Sequence, residues 1–187
     1  MRLNCDFRLA LVLAASAVAV AGCGQREPSG AGASAPAASA VPTAPRPTAD
    51  AATTLQQLEA GALEPTCSVE NIVDLSTERP VPVSNAVYAG ARDKVVKFIG
   101  FATIKSKGEP LGSFTALLAS DRGVYRMPGQ TNLERPDVVA FFKAPGMLKS
   151  GFQIDADLRD LPAGDYRIFM QGSGGVTCPT HHTLRIQ

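Results

Sequence analysis

The sequence predicts an all-β domain, an antiparallel immunoglobulin-like β-sandwich with one or two short helices, over residues 53–187. Two observations lead there, and a third bears on the ends of the region. Beyond Cys67 the chain breaks into short runs in which apolar and other residues alternate, the period of a strand. Gly, Pro, Asn and Asp separate those runs at spacings that give roughly seven or eight strands, enough for two packed sheets. Two cysteines, Cys67 and Cys178, stand near the two ends of the region.

Taken in order, residues 53–63 carry Leu55, Leu58 and Glu59 ahead of Gly61, the outline of one short helix with a glycine stop. In the first strand Cys67, Val69, Asn71 and Val73 share a face. Residues 95–105 are the best-patterned stretch, with Val96, Phe98, Gly100, Ala102 and Ile104 alternating against Val95, Lys97, Ile99, Phe101 and Thr103. Both faces are largely apolar, so this strand is expected at the centre of a sheet, covered on both sides. Strands over 114–119 and 123–127 follow. Phe152, Ile154, Ala156 and Leu158 form an inner face, opposite Gln153, Asp155, Asp157 and Arg159 on a solvated outer one. Leu161-Pro162-Ala163-Gly164 makes a turn, Tyr166, Ile168 and Met170 resume the inward alternation, and His182, Leu184 and Ile186 form the last strand. Between strands, the segment from Arg135 to Phe142 reads as one or two helical turns. Pro136 suits the first helical position, and Asp137 opposes the positive end of the helix dipole.

Ahead of the domain, Arg2 and Arg8 flank a short polar start and residues 9–20 are apolar. About a dozen residues at ~1.5 Å rise span only ~18 Å, short of a ~30 Å hydrocarbon core. Residues 1–22 are therefore expected to be an export signal and not a permanent span. Residues 23–52 are rich in Gly, Ala, Ser, Pro and Thr, and Pro28, Pro36, Pro42, Pro45 and Pro47 favour extended backbone. This segment is expected to be a disordered tether. It would reach up to ~90 Å as polyproline and average nearer ~30 Å as a coil.

At the junction, Val20-Ala21-Gly22-Cys23 resembles the lipobox of bacterial lipoproteins. The resemblance implies cleavage before Cys23, diacylglycerol on its sulfur, and a chain held to the membrane by lipid. Ordinary secretion is the rival, since Ala19-Val20-Ala21 also fits a small-x-small cleavage rule. Two or three acyl chains make release negligible, where one gives only reversible binding. Gly24 at the next position is similar to the pattern that directs many Gram-negative lipoproteins to the outer membrane. Of the four cysteines, Cys5 falls in the leader and Cys23 takes the lipid. In an exported protein the remaining Cys67 and Cys178 are expected to form one disulfide, with two buried thiols as the alternative.

Gly100-Phe101-Ala102, Arg135-Pro136-Asp137-Val138, Gly151-Phe152 and Leu161-Pro162-Ala163-Gly164-Asp165-Tyr166 follow one another in that order. The series resembles a loosely defined bacterial envelope β-sandwich module with G-W-A, R-x-D-V, G-F and L-P-x-G-x-Y, often with a cysteine at each end. The match covers residues 67–187, with Phe101 where the module usually has Trp. It implies a fold and an envelope setting and brings no catalytic residues.

Candidate chemistry is sparse. A net charge of +1 gives no clustered basic face for nucleic acid, and the absence of tryptophan argues against an aromatic glycan platform. His181 and His182 are the only histidines, and as strand neighbours they point to opposite faces. Cys178 and His181 have a C-x-x-H spacing, but Cys178 is assigned to the disulfide, so no metal or cofactor is expected. There is no G-x-S-x-G nucleophile turn. Ser173 lies between glycines with no helix after them, which makes a hairpin loop and not a phosphate cradle. Asp155 and Asp157, ~6.6 Å apart on one strand face, and Asp160 are candidate calcium ligands or paired acids; a solvated face near Arg159 is the reading adopted. Arg135 and Asp137 are expected to stabilise their own loop. The expected function is a non-enzymatic binding or scaffold module of the envelope, meeting an envelope protein or cell-wall glycan through end loops. The rival is an enzyme or enzyme inhibitor, which a concave pocket with converging ionisable groups would reveal.

Overall fold

The computed structural model describes residues 44–61, 65–90 and 93–187; the leader, Cys23 and the tether up to residue 43 lie outside them. In chain order the elements are β1 (Thr48–Asp50), α1 (Leu55–Ala60), β2 (Pro65–Asp74), β3 (Arg79–Pro80), β4 (Val83–Ser84) and β5 (Val87–Gly90). They continue with β6 (Val95–Ile104), β7 (Glu109–Pro110), β8 (Ser113–Ser120), β9 (Gly123–Gln130), α2 (Pro136–Phe142), β10 (Gly151–Asp157), β11 (Gly164–Gly172) and β12 (Thr177–Ile186). One sheet runs β1-β9-β8-β11-β12-β5-β4 and the other β10-β6-β2-β3, with β7 beside β6. This is the two-sheet, all-β sandwich that the alternation predicts. One pair departs from the antiparallel expectation: β5 runs parallel to β12. The two are far apart in sequence, and a parallel pair needs such a long connection.

The inner faces share one core. Val96 and Phe98 of β6, Phe152 and Ile154 of β10, Phe114 and Leu118 of β8, and Tyr166 and Ile168 of β11 all lie in it. Phe114 and Phe152 meet edge to face across the sheets, with centroids 5.3 Å apart. β6 sits between β2 and β10 as its pattern predicts, although its outer residues Val95, Ile99 and Phe101 are only half-buried.

In β2 the inward face changes partway. Cys67 and Val69 are buried as expected, but then Ile72 and Asp74 are buried while Val73 is not. The register against β6 skips Glu70, a bulge that shifts the alternation by one residue. Gly100 lies opposite that bulge. A Cβ there would meet the Ser68 carbonyl oxygen at 1.9 Å and Phe152 Cζ at 2.9 Å, so close backbone approach requires glycine.

Cys67 and Cys178 form a disulfide with Cα atoms 6.2 Å apart. Cys178 lies inside the last strand and not just before it. The bond therefore joins β2 of one sheet to β12 of the other.

The proposed boundary at residue 53 falls too late. Residues 44–52, assigned by composition to the tether, belong to the domain. Ala44 is buried; Thr48, Ala49 and Asp50 pair with Arg126, Tyr125 and Val124 of β9. Composition misses this because a three-residue edge strand draws its stability from the sheet it joins and not from its own propensity. Helix α1 follows where expected, capped by a reciprocal Thr54–Gln57 box. It lays Leu58 over Leu117, Ala119, Val124 and Phe169 on the outer face of the larger sheet.

Candidate functional site

Three of the four sequence motifs converge at one end of the sandwich. Phe101 pairs with Gly151 and Gly100 with Phe152 across β6 and β10. Arg135, immediately before α2, lies with its guanidinium carbon 5.5 Å from the Phe101 ring centre. A Cβ on Gly151 would meet Arg135 Cγ at 2.9 Å, so that glycine makes room for the arginine stem. The Arg135 backbone N–H donates to the Leu148 carbonyl at 2.7 Å. Its side chain donates to both Asp137 oxygens, at 2.8 and 2.5 Å, and to both Glu70 oxygens, at 2.8 and 3.0 Å. The Arg135 hydrogen bonds hold the Asp137 carboxyl down at about 2, and Asp137 and then Glu70 push the guanidinium further up. The guanidinium fork matches two carboxylates at once. It ties α2 to the bulge in β2, and its capacity is nearly filled by these bonds.

Glu70 was not singled out from sequence. Its signal is an extra residue in the β2 alternation, legible only once β6 fixes the register. The fourth motif works at the opposite end, where the Tyr166 hydroxyl donates to the Pro162 carbonyl at 2.7 Å and closes the turn before β11.

Asp157 overturns an expectation. Placed by alternation on a solvated face, it is 3 % exposed. Its backbone N–H donates to the Pro45 carbonyl at 3.1 Å. Arg159 donates to it at 2.8 and 2.5 Å, and Arg46 approaches to 3.4 Å. The Arg159 hydrogen bonds hold its carboxyl at about 2 against burial, which would raise it. The segment around Arg46 covers this strand end, so Asp157 is an internal clamp. Arg46 also reaches Asp160 at 2.5 Å, which takes Asp160 into the same contact. Asp155 faces Lys97 at 4.0 Å instead, in a shallow groove of about 320 Å³ lined also by Pro45, Pro128 and Gln153.

The remaining candidates stay apart. His181 is exposed; His182 is half-buried with its ring 5.1 Å from Tyr88, and burial, then His181, lowers its pKa. Ser173 opens the short turn Ser173–Gly175 between β11 and β12. A second groove, about 460 Å³, runs beside α1 and is lined by Asp50, Thr53, Thr54, Asp121 and Arg122. Among the described residues no three His, Cys, Asp or Glu side chains are grouped to hold a metal ion.

Four large apolar side chains are exposed among the described residues: Val83, Leu133, Phe141 and Leu148. The last three flank or belong to α2, and Phe141 is 80 % exposed. Its neighbour Phe142 turns inward and meets Phe101 edge to face at 6.3 Å. No protein-family model, curated protein or solved structure matches the chain.

Proposed function

We propose that this chain is an envelope lipoprotein, anchored through Cys23, whose sandwich is a non-catalytic binding module and makes contact through its α2 end. The anchor rests on the Val20-Ala21-Gly22-Cys23 motif after a short apolar leader. The binding reading rests above all on Phe141, left 80 % exposed on a scaffold fixed beneath it. The Arg135 bridge to Glu70 and the Phe101–Phe142 contact hold α2 in place, and a pre-ordered surface loses less entropy on binding. The motif series from Gly100 to Tyr166 supports an envelope module of the kind it resembles, because three of its motifs build this end.

Two measurements test the proposal. Cys23→Ser should move the chain out of the lipid-modified fraction; a wild-type chain starting at Gly22 without lipid would contradict the anchor. A photo-reactive residue at position 141 should form adducts in intact cells that one at position 121, at the far end of the β8–β9 hairpin, does not form. Equal labelling at both positions would remove α2 as the contact surface.

A further inference from the structure

We infer that the α2 end is a membrane-contact surface that seats Phe141 among the headgroups of an anionic phospholipid bilayer. This deepens the reading above by naming the partner, and it rests on that reading for the proximity of the bilayer.

The argument is one of charge and shape. Lys143 ends α2 in the left-handed conformation, with φ 53°, and is exposed. Lys149 follows the exposed Leu148. The turn after β6 brings two more, Lys105 and Lys107, both exposed. That turn touches the segment after α2: a Cβ on Gly146 would lie 2.5 Å from the Gly108 carbonyl oxygen, and one on Gly108 would lie 3.8 Å from Ala144 Cβ. All four lysines thus belong to one end of the molecule, and none forms an ion pair among the described residues.

The acids of this end leave the lysines unpaired and fall one charge short of the cations. Glu70 and Asp137 share the single charge of Arg135, and Glu109 and Glu134 form no ion pair among the described residues, so the four lysines and Arg135 outnumber the four carboxylates of this end by one while every lysine stays free to meet a phosphate. A protruding phenylalanine beside unpaired lysines complements a fluid anionic interface: the ring enters the headgroup layer while the lysines stay at the phosphates. A lipid anchor would confine the domain as a whole to the neighbourhood of the bilayer, so a weak contact suffices.

The chain has no tryptophan, so Phe141→Trp makes a single reporter. The full chain carrying it, produced in an exporting bacterium, is mixed with vesicles of phosphatidylethanolamine and phosphatidylglycerol and compared with pure phosphatidylcholine. Asp121→Trp is the control at the opposite end of the hairpin, and thiol titration checks that the disulfide is intact. Indole emission from the Phe141→Trp chain should shift to the blue on the anionic vesicles and be quenched by brominated lipid, while that of the Asp121→Trp chain stays unchanged. Each Lys→Gln change at 105, 107, 143 or 149 should weaken the response about fivefold, and molar salt should abolish it. Flotation of the same samples reports the lipid anchor separately. A Phe141→Trp chain that floats while its indole stays in water overturns this inference and leaves the anchor standing. An equal response on phosphatidylcholine, or adducts at position 141 to protein alone, also overturns it.

Discussion

The two ends of the sandwich are held by different means. At one end the chain covers itself: Arg46 reaches Asp157 and Asp160, Lys94 pairs with the buried Asp74, and α1 presses Leu58 onto the larger sheet. At the α2 end the interior is braced by the Cys67–Cys178 bond and by the Arg135 bridge between α2 and β2. The outer surface there stays open, with Phe141 and four unpaired lysines. The first end uses its charges to fold, and the second keeps charge and apolar surface in excess of what folding needs. Substitutions at the first should therefore change stability, and those at the outer surface of the second should change contact with little effect on stability.

The largest effect should come from the brace. Replacing both Cys67 and Cys178 by Ala removes a link across 111 residues of sequence, and should cost about 2–5 kcal/mol in urea unfolding. A loss below that range would mean that the strands alone fix the α2 end. Leu58→Ala should cost about 2–4 kcal/mol, because Leu58 is 2 % exposed and anchors α1. Limited proteolysis of this variant should open residues 44–60 first and leave the α2 end intact.

Acid comes next, and it reaches carboxylates at both ends, since the Arg135 hydrogen bonds hold the exposed Asp137 at about 2 as well; the buried ones lie at the covered end. Asp157 and Asp74 are held at about 2 in the folded chain: Asp157 by Arg159, and Asp74, against burial that raises it, by Lys94 and Ser76. Unfolded carboxyls titrate near ~3.9. Because the folded values are depressed, this stabilisation is complete above the unfolded value and is lost as the pH falls toward about 2. The loss should be about 1–2 kcal/mol for each, reduced because the cationic partners are partly solvated. Urea melts across that window should lose this pH dependence in the Asp157→Asn, Asp74→Asn double variant, although its stability at neutral pH will be lower.

Arg46→Ala removes an exposed guanidinium while Arg159 stays on the buried Asp157, and should cost less than ~1 kcal/mol; a larger loss would give residues 44–52 a greater share in folding than these contacts indicate. Smallest of all, Phe141→Ser should leave the unfolding free energy within ~0.5 kcal/mol of wild type, yet abolish the adducts formed by a photo-reactive residue at the neighbouring exposed position 148. A destabilised Phe141→Ser chain would show that the ring is part of the fold and would blur the distinction between the ends.

Much of the molecule was legible in advance because strand periodicity is local. The inner face of β10, the alternation of β6, the short helix before Gly61 and the helix beginning at Pro136 all follow from side-chain spacing within a few residues. The two domain cysteines could be matched by elimination, and they meet. What spacing could not supply was anything that depends on distant chain. The Glu70 bulge exists because β2 must stay in register with β6, and it reverses the faces of Ile72 and Val73. Asp157 is buried because the segment around Arg46 folds over it, and β1 exists because β9 offers an edge. Arg135 becomes a bridge only when β2, β6 and α2 are brought together. Sequence alone determined which residues turn toward a core wherever a strand keeps its alternation unbroken, because hydrophobic burial acts on each strand's own pattern. Tertiary structure decided which charges neutralise one another and which end stays open, because ion pairs and coverage form between segments far apart in the chain.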